Sequence, residues 1–319
     1  MSWLHRYAKL LVVVTVLLIT AGGMVTSTDS GLSVPDWPNT YGWFMFSFPF
    51  SKWVGGIFYE HSHRLIASSV GFLTIGLAVW TALVESRRWV RNLAWLALGA
   101  VILQGVLGGL TVLFLLPPPI SIGHAGLAQI FFCLTITVAL VTSPGWRRAG
   151  ARVDDPTLRR IAVFTTAAIY VQILLGATMR HTGAGLAIPT FPLAFGHLLP
   201  PVWTPKIAIH FAHRAGAVVV TGAILATAGH VWAHQRDRRE LLRPALLLVL
   251  FLITQVTLGA FVVLSRKQPD INTAHVVNGA LVFGTSLVLT LRSFRVKFAG
   301  ATALSAPVGI VPDALGAHS

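Results

Sequence analysis

Cysteine and charged residues are both scarce in this chain. A single cysteine, Cys133, stands in 319 residues, which excludes a scaffold held together by disulfides. Charged residues make up 11% of the chain, whereas a soluble domain carries about 25%. With so few charged side chains, most of the surface cannot face water. The mean hydropathy of +0.73 agrees, and together these values predict an integral membrane protein.

The chain is rich in long apolar segments. A bilayer core of about 30 Å takes about 20 helical residues to cross. Eight segments meet that length, at residues 9–27, 62–84, 93–115, 121–142, 160–178, 208–232, 243–264 and 272–292. The first follows Arg6 and Lys9, as the apolar part of a signal peptide would. We interpret it as a retained helix, because Ala21-Gly22-Gly23 offers no convincing cleavage site and seven further spans follow.

The basic residues predict the orientation of the spans. The net charge is +14, but the basic residues lie in short clusters between the apolar segments, which does not predict a nucleic-acid partner. Of the 24 lysines and arginines, 17 fall on one side of the spans and 7 on the other. The richer side is predicted to be cytoplasmic. The chain is thus expected to be a multi-pass protein of the cell membrane with both termini in the cytoplasm and residues 28–60 and 179–207 outside.

The second half of the sequence repeats the first. Gly22 and Gly176 are 154 residues apart, His63 and His213 are 150 apart, and His124 and His275 are 151 apart. Each half contains four spans, an even number, so the repeats share one topology and are related by an axis along the membrane normal. We predict an all-α fold of two tandem four-helix bundles with pseudo-twofold symmetry. They cover residues 1–150 and 151–297, and residues 298–319 are predicted to be a disordered cytoplasmic tail.

Four histidines lie at the outer ends of the even-numbered spans, and an ionisable side chain there is a functional candidate. Imidazoles on facing helices of a bundle can bind a metal, and two on opposite sides of a porphyrin give six-coordinate heme iron. Zinc or copper would favour three or four converging ligands. We therefore predict two bis-histidine heme sites; the alternative is that the histidines are only wetted by the interface. The predicted pairs are His63 with His124, and His213 with His275.

The two halves differ beside the first histidine of each pair. Glu60 lies one helical turn outside His63 on the same face, and His210 stands at the equivalent place in the second half. A carboxylate at the edge of a heme can accept a proton or stabilise a developing cation. Capping of the helix N-terminus is the other role open to Glu60.

Other polar residues near these histidines carry weaker predictions. Arg64 and Arg214 each follow a histidine and are candidates to pair with heme propionates, although an arginine at a helix end can also snorkel to the interface. His210 is an alternative ligand to His213. His61 is predicted to lie at the lipid interface and not to bind the metal.

The residues around Glu60 resemble a known family. Residues 60–64 match the Glu-x-x-His-Arg motif of the heme A synthases, membrane enzymes that convert heme O to heme A for cytochrome oxidase. Residues 30–38, Ser-Gly-Leu-Ser-Val-Pro-Asp-Trp-Pro, are similar to that family's first outer loop. The eight spans and the histidines on even-numbered spans agree with it, and the resemblance covers about residues 10–292.

The resemblance implies a function and roles for these residues. The first half would hold the substrate heme O through His63 and His124, with Glu60 as the catalytic residue. His213 and His275 would hold a resident heme b that relays electrons. The implied chemistry is successive hydroxylation of the C8 methyl group of heme O, with dehydration to the formyl group of heme A. Implied partners are membrane lipid, a heme O synthase (protoheme farnesyltransferase) and an electron donor; the oligomeric state, including a homo-oligomer, is left open.

One departure from the family stands in the outer loop. Many bacterial members carry a cysteine just before the Pro-Asp-Trp stretch, where this chain has Val34. A thiol or disulfide step proposed for those relatives therefore has no counterpart here. Two other functions remain in view: a di-heme electron-transfer protein of the quinol-linked cytochrome b type, and a heme carrier.

Overall fold

A computed structural model describes residues 3–147 and 154–295. Eight long helices, each long and apolar enough to cross a membrane, confirm the predicted all-α membrane fold. Their bounds are α1 Trp3–Ser27, α2 Gly56–Val84, α3 Arg88–Leu113, α4 Pro118–Val141, α6 Pro156–His181, α7 Pro205–Gln235, α8 Arg239–Leu264 and α9 Pro269–Ser293, with a short helix α5 at Pro144–Arg147. Arg148, Arg152, Lys297 and the predicted tail 298–319 lie outside the described residues, so the tail stays a prediction.

Proline and capping residues mark where several of these helices begin. Helices α4, α6, α7 and α9 each start on a proline, which suits the first helical position because the missing N–H would have no partner there. The Asp155 carboxylate accepts the N–H of Leu158 at 2.8 Å at the start of α6. The hydroxyl of Thr204 does the same for Ile207 at 3.2 Å in α7. These caps satisfy backbone donors that the helix itself leaves free.

Each half closes into a ring of four helices. In the first half every helix packs on its neighbour in sequence, and α1 also packs on α4; α6 to α9 repeat that arrangement. The two halves meet where α1 packs on α9, α4 on α6 and α4 on α9. Helix α1 corresponds to α6 in the other half, and α4 corresponds to α9. The contact of α1 with α9 is therefore equivalent to that of α6 with α4, as a twofold arrangement requires. The pseudo-twofold axis and the division near residue 150 remain predictions.

Two long loops, residues 28–55 and 182–204, lie at the same end of the bundle, which we call the loop side. Their backbones repeat at the spacing seen in the sequence. Thr40 pairs with Trp43 in an isolated bridge, and Ala194 pairs with His197. Between the bridge residues, Tyr41 and Phe195 have φ of 50° and 54°, and a glycine follows each. The repetition thus extends from the sequence into the local structure of the loops.

An ion-pair cluster ties helices together at the opposite end of the bundle. The Glu85 carboxylate accepts hydrogen bonds from Arg87 at 2.8 Å and from Arg147 at 2.7 Å, while its side chain is 3% exposed. Arg87 also donates to the carbonyl of Val141 at 3.0 Å. The hydrogen bonds from Arg87 lower the pKa of Glu85 from 4.5 to about 2.

Glu85→Gln is expected to lower the thermal stability of the protein at neutral pH. The substitution leaves two guanidinium groups without their buried counter-charge, a loss of about 1–3 kcal/mol. Because the folded protein depresses the pKa, the contribution is complete above pH 4.5 and disappears as the pH falls toward about 2. Thermal unfolding in detergent measures this. Asp154→Asn, which breaks an ion pair whose carboxylate is 84% exposed, is the matched control. Equal melting temperatures for Glu85→Gln and the wild type at pH 7 would contradict the assignment.

Candidate functional site

The structure places the four predicted histidines near the loop-side ends of their helices, between the seventh and the ninth residue of each. His63 lies on α2, His124 on α4, His213 on α7 and His275 on α9. All four side chains are half-buried. His63 and His124 are close enough to interact electrostatically, and so are His213 and His275. Each half therefore presents one pair of imidazoles from two of its helices.

Each of these imidazoles packs against a glycine on a neighbouring helix. A Cβ at Gly22 of α1 would lie 2.9 Å from Cε1 of His63, and a Cβ at Gly176 of α6 would lie 2.9 Å from Cε1 of His213. The corresponding distances are 3.2 Å for Gly108 with His124 and 3.1 Å for Gly259 with His275. Any side chain at these positions would have to displace an imidazole. Sequence analysis paired Gly22 with Gly176 across the repeat but did not identify this contact.

The ring nitrogens differ between the four histidines. Nδ1 of His63, His124 and His275 is buried with no hydrogen-bond partner among the described residues. Nδ1 of His213 lies 3.1 Å from the amide nitrogen of Gln172, and Nε2 of His275 lies 3.3 Å from that of Gln255. A histidine that binds a metal does so with one ring nitrogen and leaves the other to a hydrogen bond. The glycine contacts and the unpartnered buried nitrogens fit imidazoles that bind a metal.

Glu60 is buried beneath the first loop and bound to it. Its side chain is 4% exposed, and its carboxylate accepts the N–H of Val34 at 2.8 Å and a hydrogen bond from Arg64 at 2.7 Å. The contact with Val34 involves only the backbone, so it does not require the cysteine that the family resemblance leads us to expect there. Glu60 therefore joins the start of α2 to the loop that covers it.

Arg64 fastens the same loop at several points. Its guanidinium donates to the carbonyl of Asp36 at 2.7 Å, of Asn39 at 3.0 Å and of Val34 at 2.9 Å. Asp36 in turn accepts the N–H groups of Tyr41 and Gly42 at 2.7 and 2.8 Å. Although burial opposes it, these N–H groups hold the pKa of Asp36 below its ordinary value. The described contacts of the Arg64 side chain are thus to the loop and to Glu60, and its contact with a heme propionate stays a prediction.

The second half repeats the contacts between an arginine and the loop, with an imidazole in place of the carboxylate. Arg214 donates to the carbonyls of Ile188 at 3.0 Å and Thr190 at 2.7 Å, and its buried Nη1 has no hydrogen-bond partner among the described residues. Nδ1 of His210 lies 3.1 Å from the carbonyl oxygen of Ala184 and 3.4 Å from the nitrogen of Ile188. His210 thus faces the loop backbone in the position of Glu60, which favours His213 as the ligand on α7.

The predicted interfacial position of His61 is wrong. The residue is fully buried, its Nδ1 lies 3.1 Å from the hydroxyl oxygen of Thr40, and its ring packs on Phe48 and Trp53 at 5.1 and 4.6 Å between centroids. The helix register does point His61 away from His63, but the first loop folds back over that side. An aromatic-rich loop that covers the helix end was the signal available in the sequence.

Polar side chains that sequence analysis did not single out surround the second pair. The amide of Gln172 donates to the carbonyl of His213 at 2.7 Å and lies 3.1 Å from its Nδ1, where the first half has Leu18. The amide nitrogen of Gln255 lies 3.3 Å from Nε2 of His275, and Gln255 accepts from Asn278 at 2.8 Å. The second pair is consequently held in a more polar surrounding than the first.

Arg180 joins the two halves on the loop side. From the last turn of α6 its guanidinium donates to the carbonyl of Gly23 at 3.0 Å and to the hydroxyl of Ser27 at 2.8 Å, both on α1. Thr273 of α9 donates to the same hydroxyl at 3.0 Å. Sequence analysis counted Arg180 only as an outward charge. Its position in the last turn of an apolar helix, with Thr26 at the equivalent place in the first half, was the only indication.

Comparison with known proteins identifies the family to which this chain is similar. The sequence model of a family described as "Cytochrome oxidase assembly protein" matches residues 45–287. The heme A synthase of Symbiobacterium thermophilum is 32% identical over 261 residues, which cover 77% of this chain and 81% of that protein. The heme A synthase of Shouchella clausii is 30% identical over 92% of this chain and 97% of its own length. That of Geobacillus kaustophilus is 26% identical over 92% of both.

Proposed function

Because this chain belongs to the heme A synthase family of cytochrome oxidase assembly proteins, we propose that it converts heme O to heme A. The reaction oxidises the C8 methyl group of heme O to a formyl group through successive hydroxylations and a dehydration. The observation that carries this proposal is the repeated pair of glycine-packed imidazoles, with the buried carboxylate of Glu60 one turn from the first pair where the second half has His210. Two equivalent heme sites, of which one has Glu60 beside it, suit one substrate heme and one resident heme.

The first half is the proposed substrate site. His63 and His124 hold the iron of heme O and so fix the porphyrin between α2 and α4. Gly22 and Gly108 set the positions of these two imidazoles, because each ring rests on the bare backbone of the adjacent helix. Arg64 and Glu60 keep the first loop closed over this end of the bundle. The loop excludes bulk water from the reacting edge, which strengthens the electrostatic interactions there.

Glu60 is the proposed catalytic residue of that site. A carboxylate offers about four lone-pair positions, and the described hydrogen bonds to Glu60 come from the N–H of Val34 and from Arg64. A further lone pair is free to accept a proton from a hydroxylated methyl carbon or to stabilise positive charge on the porphyrin edge. Arg64 donates a hydrogen bond to the carboxylate at 2.7 Å and so fixes its orientation. General-base catalysis of this kind contributes about 10²–10⁴-fold to a rate.

The second half is the proposed site of a resident heme b, held by His213 and His275. When bound, heme b would supply a relay for electrons between the substrate site and an external electron donor. Gln172 orients His213 through its two contacts, and Gln255, which accepts a hydrogen bond from Asn278, contacts the ring of His275. Second-sphere contacts of this type set ligand orientation and the properties of the metal.

The depth of the four histidines supports this function over trans-membrane electron transfer. A di-heme protein of the cytochrome b type needs one heme near each face of the membrane, whereas all four imidazoles here lie on the loop side. A heme carrier would have no need of the buried acid. We further propose that the protein resides in the cell membrane with both termini cytoplasmic, which the distribution of basic residues supports, and that a heme O synthase and an electron donor serve it.

Heme extraction from the purified protein tests the proposed function. In a host that makes heme O but lacks its own heme A synthase, we expect extracts to contain heme A and heme O together with heme b. His63→Ala, which removes one proposed ligand of heme O, is expected to retain heme b and to abolish heme A. Heme b alone, at two per chain and without heme O or heme A in the wild type, would contradict the proposal and favour the electron-transfer function.

A further inference from the structure

An apolar groove runs along the outside of the first half, between α2 and α3. Its cavity is about 370 Å³, within the range of about 300–1,000 Å³ found for small-molecule sites. Apolar side chains and bare backbone line it, including Trp37, Gly71, Ile75, Ile102, Gly105 and Val106. Ile75, Ile102 and Val106 are 47%, 60% and 44% exposed. The groove therefore opens sideways on a membrane-facing surface, and its apolar lining suits an apolar chain.

The groove adjoins the proposed heme O site through three glycines of α3. Gly108 contacts His124, and a Cβ at Gly109 would lie 2.5 Å from the ring of Trp37. Gly105 lies one turn further into the membrane, where nothing stands within 4 Å of an ideal Cβ. One face of α3 thus contacts the imidazole of His124 through Gly108 and lines the groove through Gly105. A ligand bound at His124 could extend directly into the groove.

The second half has larger side chains at the equivalent positions. Thr221 replaces Gly71, Val256 replaces Gly105 and Ala260 replaces Gly109, at offsets of 150, 151 and 151 residues. The groove floor of bare glycine backbone is therefore specific to the half that carries Glu60.

We propose that this groove binds the hydroxyethylfarnesyl chain of heme O. The inference rests on the proposed function. It adds a means by which the protein distinguishes heme O from heme b. Heme O differs from heme b by this chain of three isoprene units, which is apolar, flexible and narrow. Binding it in the groove directs heme O to the first half, whereas the second half accepts a heme without the chain. Because lipid is as apolar as the groove, the selectivity comes from packing contacts and not from removal of water.

Filling the groove tests the proposal. We expect Gly105→Leu to lower the affinity of the first-half site for heme O by about tenfold, which corresponds to about 1.4 kcal/mol, without changing its affinity for protoheme. The measurement is a titration of the protein in lipid nanodiscs with heme O and, separately, with protoheme, followed by Soret absorbance. Gly99→Leu on the same helix is the matched control, since an ideal Cβ at Gly99 also meets nothing within 4 Å and Gly99 does not line the groove. Gly71→Thr, which installs the second-half residue on the other wall, gives a second variant should Gly105→Leu fail to fold.

The outcomes separate this proposal from the proposed function. An unchanged affinity for heme O in both groove variants would overturn it and leave the groove to a lipid acyl chain. Equal weakening of heme O and protoheme would also overturn it, because the groove would then act on the site as a whole. Heme A formation by the wild type is measured independently. Its presence alongside an unchanged heme O affinity in the variants would reject the groove assignment and keep the enzyme assignment.

Discussion

Glu60→Gln is expected to reduce heme A formation by about 10²–10⁴-fold, the usual contribution of a general base, while the heme content of both halves stays normal. Glutamine has nearly the same shape as glutamate, and its carbonyl oxygen can still accept the N–H of Val34 or a hydrogen bond from Arg64. The hydrogen bonds that hold the first loop should therefore remain. Only the negative charge and the capacity to accept a proton are lost. Turnover in membranes supplied with heme O, together with heme extraction from the same preparation, measures both quantities.

Glu85→Gln is the matched control for this experiment. Both carboxylates are buried and paired with arginine, with side chains 4% and 3% exposed, but Glu85 lies at the end of the bundle away from the loops. A loss of stability alone would affect the two variants alike. Normal heme A formation by Glu60→Gln would rule out the proposed catalytic role and leave Glu60 as a residue that fastens the loop.

Glu60→Ala is a less informative change than the glutamine variant. It removes both hydrogen-bond acceptors that hold Val34 and Arg64. The Arg64 side chain, only 10% exposed, would keep a positive charge without its buried partner, which is costly. We expect this variant to release the first loop and to lose heme O as well as activity, so that it cannot separate chemistry from binding.

Gly176→Val is expected to lower the affinity of the second half for heme b by about 10–100-fold, the effect typical of disturbing the surroundings of a metal ligand. A Cβ at this position would lie 2.9 Å from Cε1 of His213. The imidazole must then move, since the helix backbone that carries the new side chain cannot. The heme b content of purified protein, determined by extraction and by the pyridine hemochrome spectrum, measures the effect.

The corresponding change in the first half completes this experiment. Gly22→Val places the same obstruction against His63, so it should lower the affinity of the first half for heme O by a similar factor and leave heme b in place. Gly222→Val on α7, where nothing lies within 4 Å of an ideal Cβ, controls for a β-branched residue in a helix. Full retention of heme b in Gly176→Val would contradict the assignment of His213. Loss of heme b from Gly22→Val, with heme b retained in Gly176→Val, would exchange the roles of the two halves.

The sequence determined the features that depend on local composition and on chain order. Segment length and apolarity are properties of consecutive residues, so the eight spans could be identified without a fold. The repeat placed His63 at the depth of His213 and His124 at the depth of His275, because residues at equivalent positions of equivalent helices must lie at equivalent heights. The same comparison singled out Glu60 as the difference between the halves.

Tertiary structure alone decided which atoms these residues meet. The packing of His63 on Gly22, the hydrogen bond from Val34 to Glu60 and the burial of His61 under the first loop all join residues of different segments. Their formation depends on how far each helix is rotated about its axis and on how each loop folds back, and neither is encoded in the spacing along one segment. The groove between α2 and α3 exists for the same reason: glycines scattered in sequence become one surface only when two helices pack side by side.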